Sequence, residues 1–103
     1  MPQTLLKQPA ESRLYDMDMS PRMATGEVIT SVTSVTEKTV DPDTGARTVS
    51  SDLTFGTATF SGQLAQVRIS VGLPNVLYEV TFIVETDAGN TLEGEGYLCV
   101  EDT

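Results

Sequence analysis

The acid–base and nucleophilic chemistry open to this chain is narrow. It contains no histidine, so the commonest general base and the commonest metal ligand are both missing. Catalysis of the Ser-His-Asp or Cys-His kind is excluded. The lone thiol, Cys99, needs a cationic neighbour to become a thiolate nucleophile, and the residues around it are acidic. It reads as a small unreactive side chain. Glu93 and Glu95 stand two apart on one strand face, and paired carboxylates can serve glycoside chemistry. With no tryptophan to hold a sugar, they read instead as a solvated pair. Asp41-x-Asp43-x-Gly45 resembles the opening of a calcium loop, but the third ligand and the closing glutamate are missing. Asp-Pro-Asp-Thr-Gly is equally the composition of a hairpin turn. No catalytic residue, cofactor or metal ligand is assigned, and the chain is not expected to be an enzyme.

The elements that carry these residues are strands. From Leu77 to Thr86 the chain alternates, with Tyr78, Val80, Phe82 and Val84 on one face and Glu79, Thr81 and Glu85 on the other. Asp87-Ala88-Gly89-Asn90 then supplies a turn, and a second β-rich run leads to Val100. That is a hairpin signature. Gly94 and Gly96 lie on the face opposite Glu93 and Glu95. Two missing Cβ atoms there predict close approach by a bulky side chain of a facing sheet or by a partner backbone.

Upstream, Tyr15, Met17 and Met19 alternate with Asp16 and Asp18, the pattern of a half-buried strand. Ser20-Pro21-Arg22-Met23 predicts a turn or one helical turn, with serine as N-cap and proline at the first helical position. Residues 27–36 are rich in β-branched types. Their apolar positions change parity between Val28/Val32 and Ile29/Val35, which predicts a bulge. Residues 38–40 and 47–55 are expected to pair around the turn at 41–47. Residues 64–71 place Ala65, Val67, Ile69 and Val71 inward.

About seven short strands separated by turn signals, with no convincing helix, predict an all-β, immunoglobulin-like sandwich of antiparallel strands. It occupies residues 13–103. Residues 1–12 read as an extended N-terminal arm anchored by Leu5 and Leu6. At 103 residues this is one domain with a thin core.

Fifteen acids stand against six bases, a net charge of −9. Such a field repels phosphate backbones and anionic lipid, so neither nucleic acid nor membrane is expected as a partner. One cysteine cannot form an internal disulfide, and the first residues lack the apolar run of a signal peptide. Synthesis in a cytoplasm is the expectation.

The order of several short motifs along nearly the whole chain resembles a family of small immunoglobulin-like proteins of tailed bacteriophages, the fiber-tail adaptors. The motifs are Lys7-x-Pro9 with Glu11, then Tyr15-Asp16-Met17-Asp18, then Ser20 and Met23. Gly26-Glu27 enters the Thr/Ser-rich strand, Ser70-Val71-Gly72 ends a later one, and Tyr78 opens the next. Thr86-Asp87-Ala88-Gly89 turns the hairpin, and Leu98 to Val100 closes the chain. Met19 stands where the family often has an aromatic, and Leu73-Pro74-Asn75-Val76 where it often has a second glycine-rich turn. The resemblance implies a virion structural protein of the tail or neck, joining tail or head–tail components to fibers. Its implied partners are other phage structural proteins (tail, neck or fiber subunits) and copies of itself in a ring. Leu5 and Leu6 of the arm, and Asp41, Asp43 and Arg47 of the loop, are the candidate assembly contacts. Alternatives are a capsid decoration or tail-tube accessory domain of the same fold, and a carbohydrate-binding module on a host surface. The last needs an exposed aromatic platform that six Tyr and Phe residues, most of them required in the core, do not readily supply.

Overall fold

A computed structural model describes residues 3–8 and 10–101. Among these residues nine strands form: β1 (Gln3–Lys7), β2 (Arg13–Asp18), β3 (Ile29–Val40), β4 (Arg47–Val49), β5 (Leu53–Phe55), β6 (Thr59–Ser61), β7 (Leu64–Val71), β8 (Val76–Thr86) and β9 (Thr91–Val100). One sheet runs β1-β9-β8-β3-β4 and the other β2-β7-β5, with β6 also on β7. β2 pairs along one edge of β7, so β5 and β6 share its other edge as two pieces of an interrupted strand.

The core lies between the sheets. Tyr15, Met17 and Met19 come from the smaller sheet's β2 and its end, and Ala65, Val67 and Ile69 from β7. Tyr78, Val80, Phe82, Val84, Leu98 and Val100 come from β8 and β9, and all twelve are buried. Tyr15 stacks across the interface on Phe82, ring centroids 6.0 Å apart. The alternation in the sequence therefore marks the buried faces correctly. The closing hairpin forms with Glu85 opposite Thr91. Gly94 is buried, and a Cβ built on it would stand 2.6 Å from Met19 Sδ and 3.2 Å from Met17 Cγ. The glycine accommodates the two methionines of the facing sheet, as the missing Cβ predicts. The parity change in β3 is real: its register against β8 slips between Ile29 and Ser31 and again between Val32 and Ser34.

Four local expectations change. The one-turn helix forms at Ser20–Arg22, but serine does not cap it; Asp18 Oδ1 accepts the Ser20 N–H at 2.9 Å instead. Only residues 47–49 pair with 38–40. The chain then leaves that sheet, and residues 53–55 join β7 of the other. Val71 does not point inward. Its φ is 68°, a left-handed conformation that turns its side chain out, and it is 54% exposed. The N-terminal segment, finally, is extended but lies on its own domain. β1 runs parallel to β9, from Gln3 beside Gly96 to Lys7 beside Val100. It covers the outer edge of the closing hairpin, an edge that would otherwise be open to pairing with another chain.

Candidate assembly surface

The motifs that carry the resemblance turn out to be joints of the fold. Glu27 is buried where the chain enters β3. Its Oε2 accepts the Thr86 hydroxyl at 2.5 Å and the Asn90 amide at 3.0 Å, and its Oε1 accepts the Ala24 N–H at 2.9 Å. Beside it, the Val28 N–H donates to Asp87 Oδ1, and the Asp87 N–H donates to the Val28 carbonyl, both at 3.0 Å. The Gly-Glu pair and the Thr-Asp-Ala-Gly turn, 59 positions apart for Glu27 and Thr86, are thus one hydrogen-bonded unit.

A second joint closes the other end. The Tyr78 hydroxyl accepts the Leu73 N–H at 2.9 Å and donates to Asp52 Oδ2 at 3.1 Å. Gly72 packs beneath it at φ 100°, and a Cβ there would meet Leu53 and Val100 at 3.0 Å. Burial pushes the Tyr78 phenol up to about 12. A third joint turns β1 into β2: Glu11 Oε1 accepts the Gln8 N–H at 2.8 Å, and the Glu11 N–H donates to the Gln8 carbonyl at 3.0 Å. Pro9 lies outside the described residues.

The Glu27 joint sets an acid limit. The Thr86 hydroxyl, the Ala24 N–H and the Asn90 amide all favour the carboxylate, so its folded pKa is lowered. A depressed folded pKa contributes stability that is present above the ordinary carboxylate range. That stability is lost as pH falls through the folded value. Glu27→Gln is therefore expected to lower the melting temperature at pH 7 and to have a progressively smaller effect as pH drops below about 4. Melting curves of both proteins across pH 2–7 check this; an effect independent of pH contradicts it.

Of the candidate contacts, Leu6 and Arg47 lie elsewhere, on the outer face of the five-stranded sheet. Strand register places Leu6 beside Cys99, Cys99 beside Leu77, Leu77 beside Val40 and Val40 beside Arg47. Two of the residues singled out from sequence therefore end one continuous row, at opposite edges of the sheet. Leu6 is 54% exposed; Cys99, Leu77 and Val40 are half-buried. Leu5 pairs with Leu98, and its side chain lies outside the described part. The middle of the row was not singled out from sequence. Its only local signal is parity: Leu77 alternates with the buried Tyr78, but nothing local tells which strand lies beside it.

Arg47 serves the loop. Its Nε donates to Glu79 Oε2 at 2.7 Å, Nη2 to the Tyr97 hydroxyl at 3.3 Å, and Nη1 to the Gly45 carbonyl at 3.2 Å. Glu79 points outward yet is only 4% exposed, because the arginine lies over it. Asp41 Oδ1 accepts the Asp43 N–H at 2.8 Å, an Asx turn. Asp43 is exposed. Among the described residues, no group of three or more acidic or cysteine side chains could hold a metal ion. No helix there is long and apolar enough to cross a membrane. Burial, and then the Glu101 carboxylate, push the Cys99 thiol up, away from a reactive thiolate.

A two-sheet sandwich pinned by hydrogen-bonded corners, with an apolar row across one outer face, defines a small structural β-domain. Over residues 7–98 the sequence matches the family described as podophage GP4 fiber-tail adaptor protein gp77. The chain belongs to this family of bacteriophage tail adaptors. No curated protein sequence matches it.

Proposed function

We propose that the domain is a non-enzymatic subunit of a ring in the phage tail or neck, joining fibers to the tail through contacts between subunits. The family match over residues 7–98 carries this reading. The immunoglobulin-like character of the sandwich is supported by its strand order and by the Tyr78 hydroxyl bonded back to Leu73, the arrangement of a tyrosine corner. Partners would be tail and fiber proteins and neighbouring copies, with the N-terminal strand and the 41–47 loop as contacts. Nucleic acid and membrane are disfavoured by the net charge of −9. Such an assembly relies on many modest contacts multiplied by symmetry. Synthesis in the host cytoplasm and incorporation into the virion complete the picture.

The arm is tested by a substitution that spares the fold. Removing residues 1–7 outright would uncover the edge of β9, so loss of assembly and loss of the sheet edge would be confounded. Leu6→Asp alters a half-exposed side chain at that edge. It is expected to leave the melting temperature within a few degrees of wild type while reducing incorporation into particles, read by quantitative blotting of purified virions. Incorporation at the wild-type level would refute a role for the arm in assembly.

A further inference from the structure

An open, largely apolar depression of about 590 Å³ lies at the end of the five-stranded sheet where the row passes through Cys99, Leu77 and Val40. Val40, Pro42, Val76, Leu77, Cys99 and Val100 line it, together with the polar Asn75 and Glu101. It is broad enough for one or two large apolar side chains, in the size range of pockets that bind side chains and small ligands. The Glu27 and Glu11 joints do not use it; the Tyr78 joint reaches it only through Val100, which packs against Gly72. The charges around it are unbalanced. Glu101 lines it, and Asp41 and Asp43 flank the lining Pro42 in the chain; all three acids are exposed. The Arg47 guanidinium is held by Glu79, which among the described residues leaves Lys38, two residues before Val40 on β3, as a nearby exposed base.

We infer that this depression receives a large apolar side chain from another tail protein, on a segment that also carries lysine or arginine for the acidic rim. The inference rests on the adaptor reading and deepens it by naming the partner's chemistry. Charge complementarity selects that occupant over a second copy of this chain. A face-to-face pair would bring two sets of these acids together, and a ring neighbour would present another face of a domain that also carries a net charge of −9. A cationic partner segment gains from the same field, which also steers its approach. Apolar lining supplies the contact area, and a central pocketed side chain is where binding energy concentrates. The raised Cys99 thiol pKa is consistent with a site that is partly desolvated and has a carboxylate beside it.

The test uses particles assembled without this protein, produced from a phage carrying a nonsense mutation in its gene, and the purified full chain. Retention on the particles after gradient sedimentation is the readout. Leu77→Glu is expected to reduce retention about tenfold or more. Glu101→Lys should reduce it and flatten its salt dependence, whereas Phe60→Glu, an exposed site on the other sheet, should be retained like wild type. Because Leu77→Glu could unfold, a second measurement uses the wild-type chain: maleimide labelling of Cys99 should be slower on particles than in free solution. Wild-type retention of Leu77→Glu, or equal labelling in both states, overturns the inference while leaving the adaptor reading intact. If Leu77→Glu instead abolishes dimers of the free chain and not particle binding, the occupant is a second copy and the inference fails. If wild type itself is not retained, it is the adaptor reading that fails, and the inference with it.

Discussion

Gly94→Val is expected to lower the free energy of unfolding by about 2–3 kcal/mol. Gly94 lies opposite Phe82 in the middle of the closing hairpin, and the methionines of the facing sheet occupy the space a side chain would need. A Cβ would stand 2.6 Å from Met19 Sδ and 3.2 Å from Met17 Sδ, closer than such atoms pack. Both sulfurs end flexible side chains, so alanine should be tolerated better than valine. The two further methyls of valine add to a volume that the methionines already fill. Met19 is 1% exposed, and Met19→Ala alone should cost about 2–5 kcal/mol by opening a cavity. The double variant fills that cavity with the valine. It should therefore be more stable than the sum of the two single losses predicts, with a coupling of about 0.5–3 kcal/mol. Denaturant titration of the four proteins measures this directly. Strict additivity would mean that Gly94 does not owe its identity to the methionines.

Glu37→Ala is expected to cost about 2–3 kcal/mol, because it strips acceptors from buried donors. Glu37 is 6% exposed on the inner side of β3. Its carboxylate accepts the Leu53 N–H at 3.0 and 3.2 Å and the Ser50 hydroxyl at 2.6 Å. Those bonds hold the chain where it passes from β4 in one sheet to β5 in the other. Without them the Leu53 N–H faces a core with no partner. Glu37→Gln keeps an acceptor and should cost clearly less than alanine. Equal losses for the two variants would show that the charge, and not the acceptor, holds the crossing. Against a stability of about 5–15 kcal/mol for a domain of this kind, either Gly94→Val or Glu37→Ala removes a sizeable share.

Those two positions show how unevenly the fold can be read from the chain. Alternation identifies Tyr15, Met17 and Met19, and Tyr78 through Val84, as inward because the period of a strand is local information. Gly94 is legible for the same reason: a glycine at an inward parity has to be met by something. The bulge in β3 is also local, since it appears as a change of parity. Which strand lies beside which is not local. Parallel pairing of β1 with β9 joins residues at opposite ends of the chain, and no turn signal links them. The short passage from β4 to β5 reads as a continued hairpin because its turn residues look the same whichever sheet follows; a buried bond from Glu37 decides it. Val71 fails for a backbone reason: its alternation says inward, and its left-handed φ says otherwise.

The assembly surface divides in the same way. Leu6 and Arg47 were conspicuous in sequence, one as an apolar residue in a polar arm and the other as a base in an acidic loop. That they end a single row through Cys99, Leu77 and Val40 follows from register across five strands. Arg47 also has a part within the domain. Lying over Glu79, it fastens the 41–47 loop to Glu79 and Tyr97 on the sheet. The motifs of the family meanwhile sit at corners: Glu27 against Thr86 and Asn90, Tyr78 against Leu73. They fasten the corners of the sandwich.

The central claim, that this domain joins fibers to the tail, is tested most directly by imaging particles with and without it. Cryo-electron microscopy of wild-type virions should place density of this two-sheet domain, in several symmetry-related copies, between tail and fibers. Particles made without the protein should have tails and no attached fibers, and adding the purified chain should restore attachment. Fully fibered particles in its absence, or virions that contain none of it, would contradict the account.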